Sequence, residues 1–179
     1  MKQAVSAENY SSVSKALHWL IALLAFSQLA MGKFFEVEAD EDGSLFVWHT
    51  TFGLLVLALM LVRLAWRLTH TPPALPSTTP AWQQKTARAI HLTFYALLIV
   101  LPLSGWLLVS AEGDAVSFFN WFPVPALPVP GGESSEDLIE EVHEILGNVL
   151  LVMAGIHVLA GLKHHFVDRD NVLRRMLPG

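Results

Sequence analysis

The sequence contains no cysteine. That absence excludes disulfides, thiolate metal sites, cysteine-ligated iron–sulfur clusters and covalently attached c-type haem. Charge is scarce too. Lys, Arg, Asp and Glu make up 15% of the 179 residues, against about 25% in an ordinary soluble domain. The formal net charge of −5 supplies no basic face for phosphate, which argues against a nucleic-acid partner. What the chain does have is apolar surface: 53% of its residues are hydrophobic and its mean hydropathy is +0.47. A chain of this length is expected to form one domain, residues 1–179, and this composition is that of a membrane domain.

Four apolar runs stand out, Ala16–Met31, Leu45–Trp66, Ala89–Val109 and Ile145–Leu162. Each approaches or exceeds the ~18–20 residues that cross a hydrocarbon core as helix. The expected spans are about 14–33, 45–68, 86–110 and 140–166. The first run is short, and a cleaved secretory signal is the competing reading. Its long polar lead-in with Glu8, and the polar residues His18, Ser27 and Gln28 inside it, favour a retained span. Thr71-Pro72-Pro73 through Pro80 forms a connector that cannot continue a helix. Pro102 is expected to kink the third helix, with the freed carbonyl satisfied by a serine or a neighbouring helix.

Charge sets the expected orientation. Lys2 and Lys15 precede the first run. Arg67, Lys85 and Arg88 lie between the second and third, and Lys163, Arg169, Arg174 and Arg175 end the chain. The first and third links are acidic, with Glu36, Glu38, Asp40, Glu41 and Asp42 in one, and Glu112, Asp114, Glu133, Glu136, Asp137, Glu140 and Glu141 in the other. Basic loops stay cytoplasmic. Both termini are therefore expected inside a bacterial inner membrane and both acidic links outside. The third link also carries Phe118, Phe119, Trp121 and Phe122, an interfacial segment expected to cap the outer face.

Ionisable side chains at membrane depth are costly and default to functional hypotheses. His143 and His157 share the fourth run, fourteen residues apart. That spacing advances ~1400°, about 40° short of four full circles, so both rings point to nearly one face, ~21 Å apart along the axis. Two stacked cofactors would suit such a separation, each an iron taking a histidine from either side. His49 matches His143 in depth on the outside, and His18 matches His157 on the inside; facing helices of a bundle commonly supply pocket ligands. His91, at the inner end of the third run, is the substitute for His18. The residue four places after each of the four is small, Ala22, Gly53, Gly147 and Gly161, which would let a flat porphyrin approach the backbone, although such spacing also serves plain helix packing. Arg63, fourteen residues after His49, is a candidate partner for a haem propionate; the alternative is snorkelling to headgroups. His164, seven residues after His157, is a candidate quinone-site residue, because a quinone carbonyl needs a hydrogen-bond donor and a proton source.

These residues carry a family resemblance. Ser14-Lys15-Ala16-Leu17-His18-Trp19, Trp48-His49-Thr50-Thr51-Phe52-Gly53, Leu61-Val62-Arg63-Leu64, His91-Leu92, the segment His143-Glu144 through His157, His164-His165 and the ending Arg174-Arg175-Met176-Leu177-Pro178 resemble the prokaryotic cytochrome b561 family, diheme membrane cytochromes of the superoxide oxidase kind. The resemblance implies an all-α transmembrane four-helix bundle binding two non-covalent b-type haems, with axial pairs His49/His143 and His18/His157. It further implies exchange with ubiquinone near the inner haem, with His164 at the matching position.

One feature departs from that pattern. A surface that gathers superoxide should be basic, whereas both outer links here are acidic and Lys33 is the lone basic residue beside them. Such a face suits a cationic periplasmic donor protein. Two functions are therefore expected to compete. One is a cytochrome that passes electrons from an outer donor, superoxide among the possibilities, to the quinone pool. The other is a haem-bearing anchor for a separate periplasmic partner.

Overall fold

The computed structural model describes residues 9–34, 43–74, 79–129 and 132–177. The acidic residues expected in the first link (Glu36, Glu38, Asp40, Glu41 and Asp42), together with Lys2, Glu8 and Pro178, lie outside the described residues. Four long helices carry the fold: α1 (Ser12–Phe34), α2 (Ser44–Thr69), α3 (Ala81–Ala111) and α4 (Glu133–Lys163). All four are long and apolar enough to cross a membrane. The third and fourth run 31 residues each, well beyond the ~20 needed to span. Their surplus lies in the polar first turns, Trp82-Gln83-Gln84-Lys85 and Glu133–Glu141.

Local chemistry sets the ends. The Ser11 hydroxyl accepts the Ser14 backbone N–H at 3.2 Å, capping α1. Pro80 precedes α3 and supplies a fixed φ where no helical N–H is required. Glu133 and Glu136 occupy the first turn of α4, and Arg67 and Lys163 the last turns of α2 and α4, each matching the sign of the helix dipole. Hydroxyl side chains within the helices bond back to their own turns: Ser27 to Leu24, Thr93 to Ala89, Ser104 to Leu101 and Ser110 to Trp106. A hydroxyl satisfied in this way adds little cost in lipid. Pro102 lies inside α3. The nearby Ser104 bonds the Leu101 carbonyl, not that of Leu98, which is the one a proline at 102 leaves without its helical donor.

Close packing joins chain neighbours, α1 with α2, α2 with α3 and α3 with α4. Ile21 and Leu24 of α1 bury against Val56 and Met60 of α2, with Tyr95 and Leu98 of α3 completing that cluster. Leu29, Leu97 and Leu150 bury a second cluster from α1, α3 and α4. The outward faces stay apolar: Leu23, Val62, Leu92, Val152 and Leu159 are each more than half exposed. Such faces on every helix have lipid as their partner.

After α3 the chain forms a small hairpin, β1 (Ser117–Phe118) paired antiparallel with β2 (Phe122–Pro123), Phe118 opposite Phe122. Its turn holds Phe119 at φ 51° and Asn120 at φ 58°. The left-handed region is costly for a bulky aromatic. Two interactions hold Phe119 there. Its N–H donates to the Thr51 hydroxyl at 3.1 Å, and its ring meets Trp48 and Phe52 of α2 at 5.2 and 6.0 Å. Thr51 is fully buried and its hydroxyl also donates to the Ser117 carbonyl at 3.2 Å. Thr51→Val keeps the shape but strands both backbone groups, a cost of about 1–3 kcal/mol. It is expected to lower the melting temperature and to expose the hairpin to limited proteolysis, read as faster cleavage around 117–123.

At the other end of the bundle, α4 passes into a π-helical turn, His164–Asp168, and the chain ends in a 3-10 turn, Arg174–Met176. This tail ties the α2–α3 connection and α1 together. The Arg175 guanidinium is buried and donates to the Ala74 carbonyl at 2.8 Å, and the Trp19 indole donates to the Met176 carbonyl at 2.8 Å.

Candidate functional site

Five histidines gather at two levels of the bundle. At the hairpin end, His49 near the start of α2 faces His143 near the start of α4; their ring centroids are 6.2 Å apart and their planes cross at 75°. At the tail end, His157 of α4 faces His18 of α1 at 6.3 Å and 78°. His91 of α3 also faces His157, at 6.1 Å and 70°. His18 is half-buried and His91 exposed. The Phe94 ring lies 5.2 Å from His157 on the same side as α3.

These separations have a chemical meaning. Imidazoles in direct contact would stack or bond, whereas two rings whose nitrogens grip one ion at about 2.0–2.1 Å hold their centroids roughly 6 Å apart. The donors are all imidazole nitrogen, a set that suits iron, copper or zinc. Helix α4 contributes to both levels and packs most closely on α3, with Leu150 also in the buried cluster that holds Leu29 of α1. Four residues on from His143, and so on the same helical face, a Cβ placed on Gly147 would meet nothing within 4 Å. The donor set and the ring separations fit a metal-bearing cofactor that facing imidazoles would hold.

The four small residues expected to line that cofactor divide. Gly147 opens onto free space. Gly53 is covered: a Cβ there would come within 3.2 Å of the Gln28 amide nitrogen, which donates to the His49 carbonyl at 2.6 Å. A Cβ on Gly161 would meet Leu173 at 3.8 Å, in the tail. Two of the glycines therefore serve helix and tail packing.

Arg63 donates to the Ser14 carbonyl at 3.2 Å, one helical turn from His18. Its guanidinium is thereby anchored beside the tail-end histidines. His164, half-buried at the start of the π turn, binds the Asp170 carboxylate through Nδ1 at 2.6 Å and lies 3.3 Å from Asp168. Asp168 in turn pairs with Lys163 at 2.5 Å. The wider π turn and the left-handed Arg169, at φ 54°, bring Asp170 back over the ring; such turns recur at functional sites. His70 is accounted for locally: it stacks on Trp66 at 3.6 Å and bonds the Thr69 hydroxyl.

Sequence reasoning did not single out Asp170, Ser104 or Gly105. The Ser104 hydroxyl lies 2.9 Å from His143 Nδ1, and a Cβ on Gly105 would strike the same ring at 2.9 Å. Both contacts are between helices, and no spacing along one run announces them.

The chain is similar to known proteins over nearly its whole length. The family model described as prokaryotic cytochrome b561 matches residues 9–179. The chain is 35% identical to cytochrome b561 homolog 2 of Escherichia coli over 95% of its length and 92% of that protein's. It is 29% identical to cytochrome b561 homolog 1 of the same organism, over 94% of this chain and 97% of the other. It is 30% identical to a protein of Yersinia pestis named probable superoxide oxidase CybB, over 96% and 97% of the two chains.

Proposed function

This chain belongs to the prokaryotic cytochrome b561 family, and we propose that it carries electrons across the bacterial inner membrane, from a donor at its outer face to the quinone pool, on two haems. Membership brings b-type haem, a multi-pass bacterial membrane protein and membrane electron transport. The observation that carries the finer reading is the pairing of imidazoles at two levels with centroids 6.2 and 6.3 Å apart. In this reading His49 and His143 hold the outer haem, and His18 and His157 the inner one. The fourteen-residue interval from His143 to His157 sets the levels ~21 Å apart. A b-type haem supplies, when bound, a reversible one-electron ferric/ferrous couple.

The chain's own residues do the rest. With a histidine from each of two helices, a level so held would favour electron transfer over binding of oxygen or substrate at the metal. The apolar helix walls exclude water. Arg63, anchored at Ser14, is the candidate counter-ion for an inner propionate. Quinone reduction consumes two electrons and two protons. His164 at the membrane boundary offers the donor a quinone carbonyl needs, and Asp170 holds its ring by Nδ1 and can draw protons from the cytoplasmic side. The positive-inside distribution of Lys and Arg supports both termini inside.

Superoxide is the donor the named Yersinia relative suggests. The purified, oxidised protein is expected to be reduced on a superoxide pulse and reoxidised by ubiquinone. Absence of any reduction above that of a haem-free control removes superoxide from the account. A second reading is favoured by Glu133, Glu136, Asp137, Glu140 and Glu141 at the outer end of α4: a cationic periplasmic protein delivers the electrons, and the chain is its haem-bearing anchor. In that case co-purification weakens with salt and with charge reversal of these residues. A partner-free protein insensitive to both counts against it.

A further inference from the structure

We infer that Ser104, together with Gly105, fixes the tautomer and position of His143 and so sets the redox potential of the outer haem. This rests on the assignment of His49 and His143 as that haem's ligands. The Ser104 side chain is buried, 6% exposed, on α3. Its hydroxyl has a single proton, and that proton goes to the Leu101 carbonyl, 2.8 Å away, which can only accept. The oxygen therefore has only lone pairs to offer His143 Nδ1, 2.9 Å away. Nδ1 must carry the hydrogen and donate it, and Nε2 is left with the free lone pair a metal requires.

Position is set by the next residue. A Cβ on Gly105 would lie 2.9 Å from His143 Cε1 and 3.3 Å from Nδ1. The ring occupies the space that any larger residue would fill, lying directly against the α3 backbone. Two consecutive residues of one helix thus hold a histidine of the next, one by a hydrogen bond and one by the lack of a side chain.

Among the described residues, the opposite ligand has no such hydrogen bond. His49 Nδ1 is buried and without a hydrogen-bond partner among the described residues; α1 meets His49 at its carbonyl through Gln28 and at its ring through Gly32, where a Cβ would lie 3.7 Å from Cε1. The two axial ligands of the outer level are therefore unequal. A hydrogen bond from Nδ1–H makes an imidazole a more basic ligand. More basic ligation stabilises ferric over ferrous iron and lowers the potential.

The test is a redox titration of the purified holoprotein, following each haem by its absorption and its electron paramagnetic resonance signal. Ser104→Ala is expected to shift the ferric/ferrous equilibrium of one haem about tenfold toward ferrous, a rise of ~59 mV for one electron, and to leave the other unchanged. Ser104→Thr, which keeps the hydroxyl and the back-bond to residue 101, is expected to restore the wild-type potential. Two unchanged potentials in Ser104→Ala overturn the inference, and so does a shift that Ser104→Thr reproduces in full. If Ser104→Ala does not accumulate, Ser104→Cys carries the same test, since sulfur is a weak acceptor: the rise is expected, and an unchanged potential overturns the inference. His143→Ala separates the two layers of the argument. Retention of both haems there defeats the ligand assignment itself; loss of one haem there with no effect of Ser104→Ala defeats only the role of Ser104.

Discussion

His157→Ala is expected to strip the protein of its inner haem and to stop electron delivery to quinone, while the outer haem stays bound and reducible. The reason is geometric. His157 is the histidine that α4 brings to the tail-end level, and it faces histidines on two other helices, His18 at 6.3 Å and His91 at 6.1 Å. Removing it leaves the inner position without an axial ligand on that side. The two facing histidines then become a test of the assignment. His18→Ala should halve the haem content as His157→Ala does, and His91→Ala should leave two haems per chain. Haem extraction and quantification on each purified variant reads this directly. A halved content in His91→Ala with two haems retained in His18→Ala would exchange their roles.

The second large effect is expected at the tail. His164→Ala should slow reoxidation of the reduced protein by ubiquinone by about 10²–10⁴-fold, the usual weight of a positioned proton donor, with both haem spectra intact. Asp170→Asn should fall between that variant and the wild type, because the ring keeps a neighbour at Nδ1 but loses its carboxylate. Stopped-flow reoxidation at saturating quinone measures both. Rates within twofold of wild type for His164→Ala would move the quinone site elsewhere.

How far the sequence foretells these arrangements depends on the distance over which each is encoded. The four helices are legible because lipid leaves a backbone few options, and an apolar run long enough to span must be helical. The histidine levels are legible because a single helix carries two of them at a spacing that repeats the helical face, and because depth in a membrane is a shared coordinate for all four spans. The choice between His18 and His91 is not legible in this way. Both begin helices at the same end, and both reach His157 at nearly equal distance. The hairpin was visible only as an aromatic stretch, since its turn uses Phe119 and Asn120 where a left-handed turn would normally advertise glycine; its stability comes from Thr51, 66 positions away from Ser117 in sequence. Ser104 and Gly105 escape for the same reason. What matters about them is the ring of another helix, and the small residues that periodicity did pick out, Gly53 and Gly161, turn out to accommodate Gln28 and Leu173.

The acidic outer end has a consequence for rate as well as for partner choice. In the proposed orientation, Glu133, Glu136, Asp137, Glu140 and Glu141 would repel an anion approaching an outer haem and attract a cation, an effect that salt screens within ~10 Å at 0.1 M. A superoxide reaction that speeds up with added salt, or a protein-donor reaction that slows down, would each carry the mark of this surface.

The central claim is two haems, each gripped by two imidazoles. It is tested most directly by haem quantification of the purified wild-type protein combined with electron paramagnetic resonance of its oxidised form. Two non-covalent b-type haems per chain are predicted, both low-spin, with the strongly anisotropic ferric signals that ring planes crossed at 75° and 78° produce. One haem per chain, or a high-spin signal marking a missing axial imidazole, would contradict it.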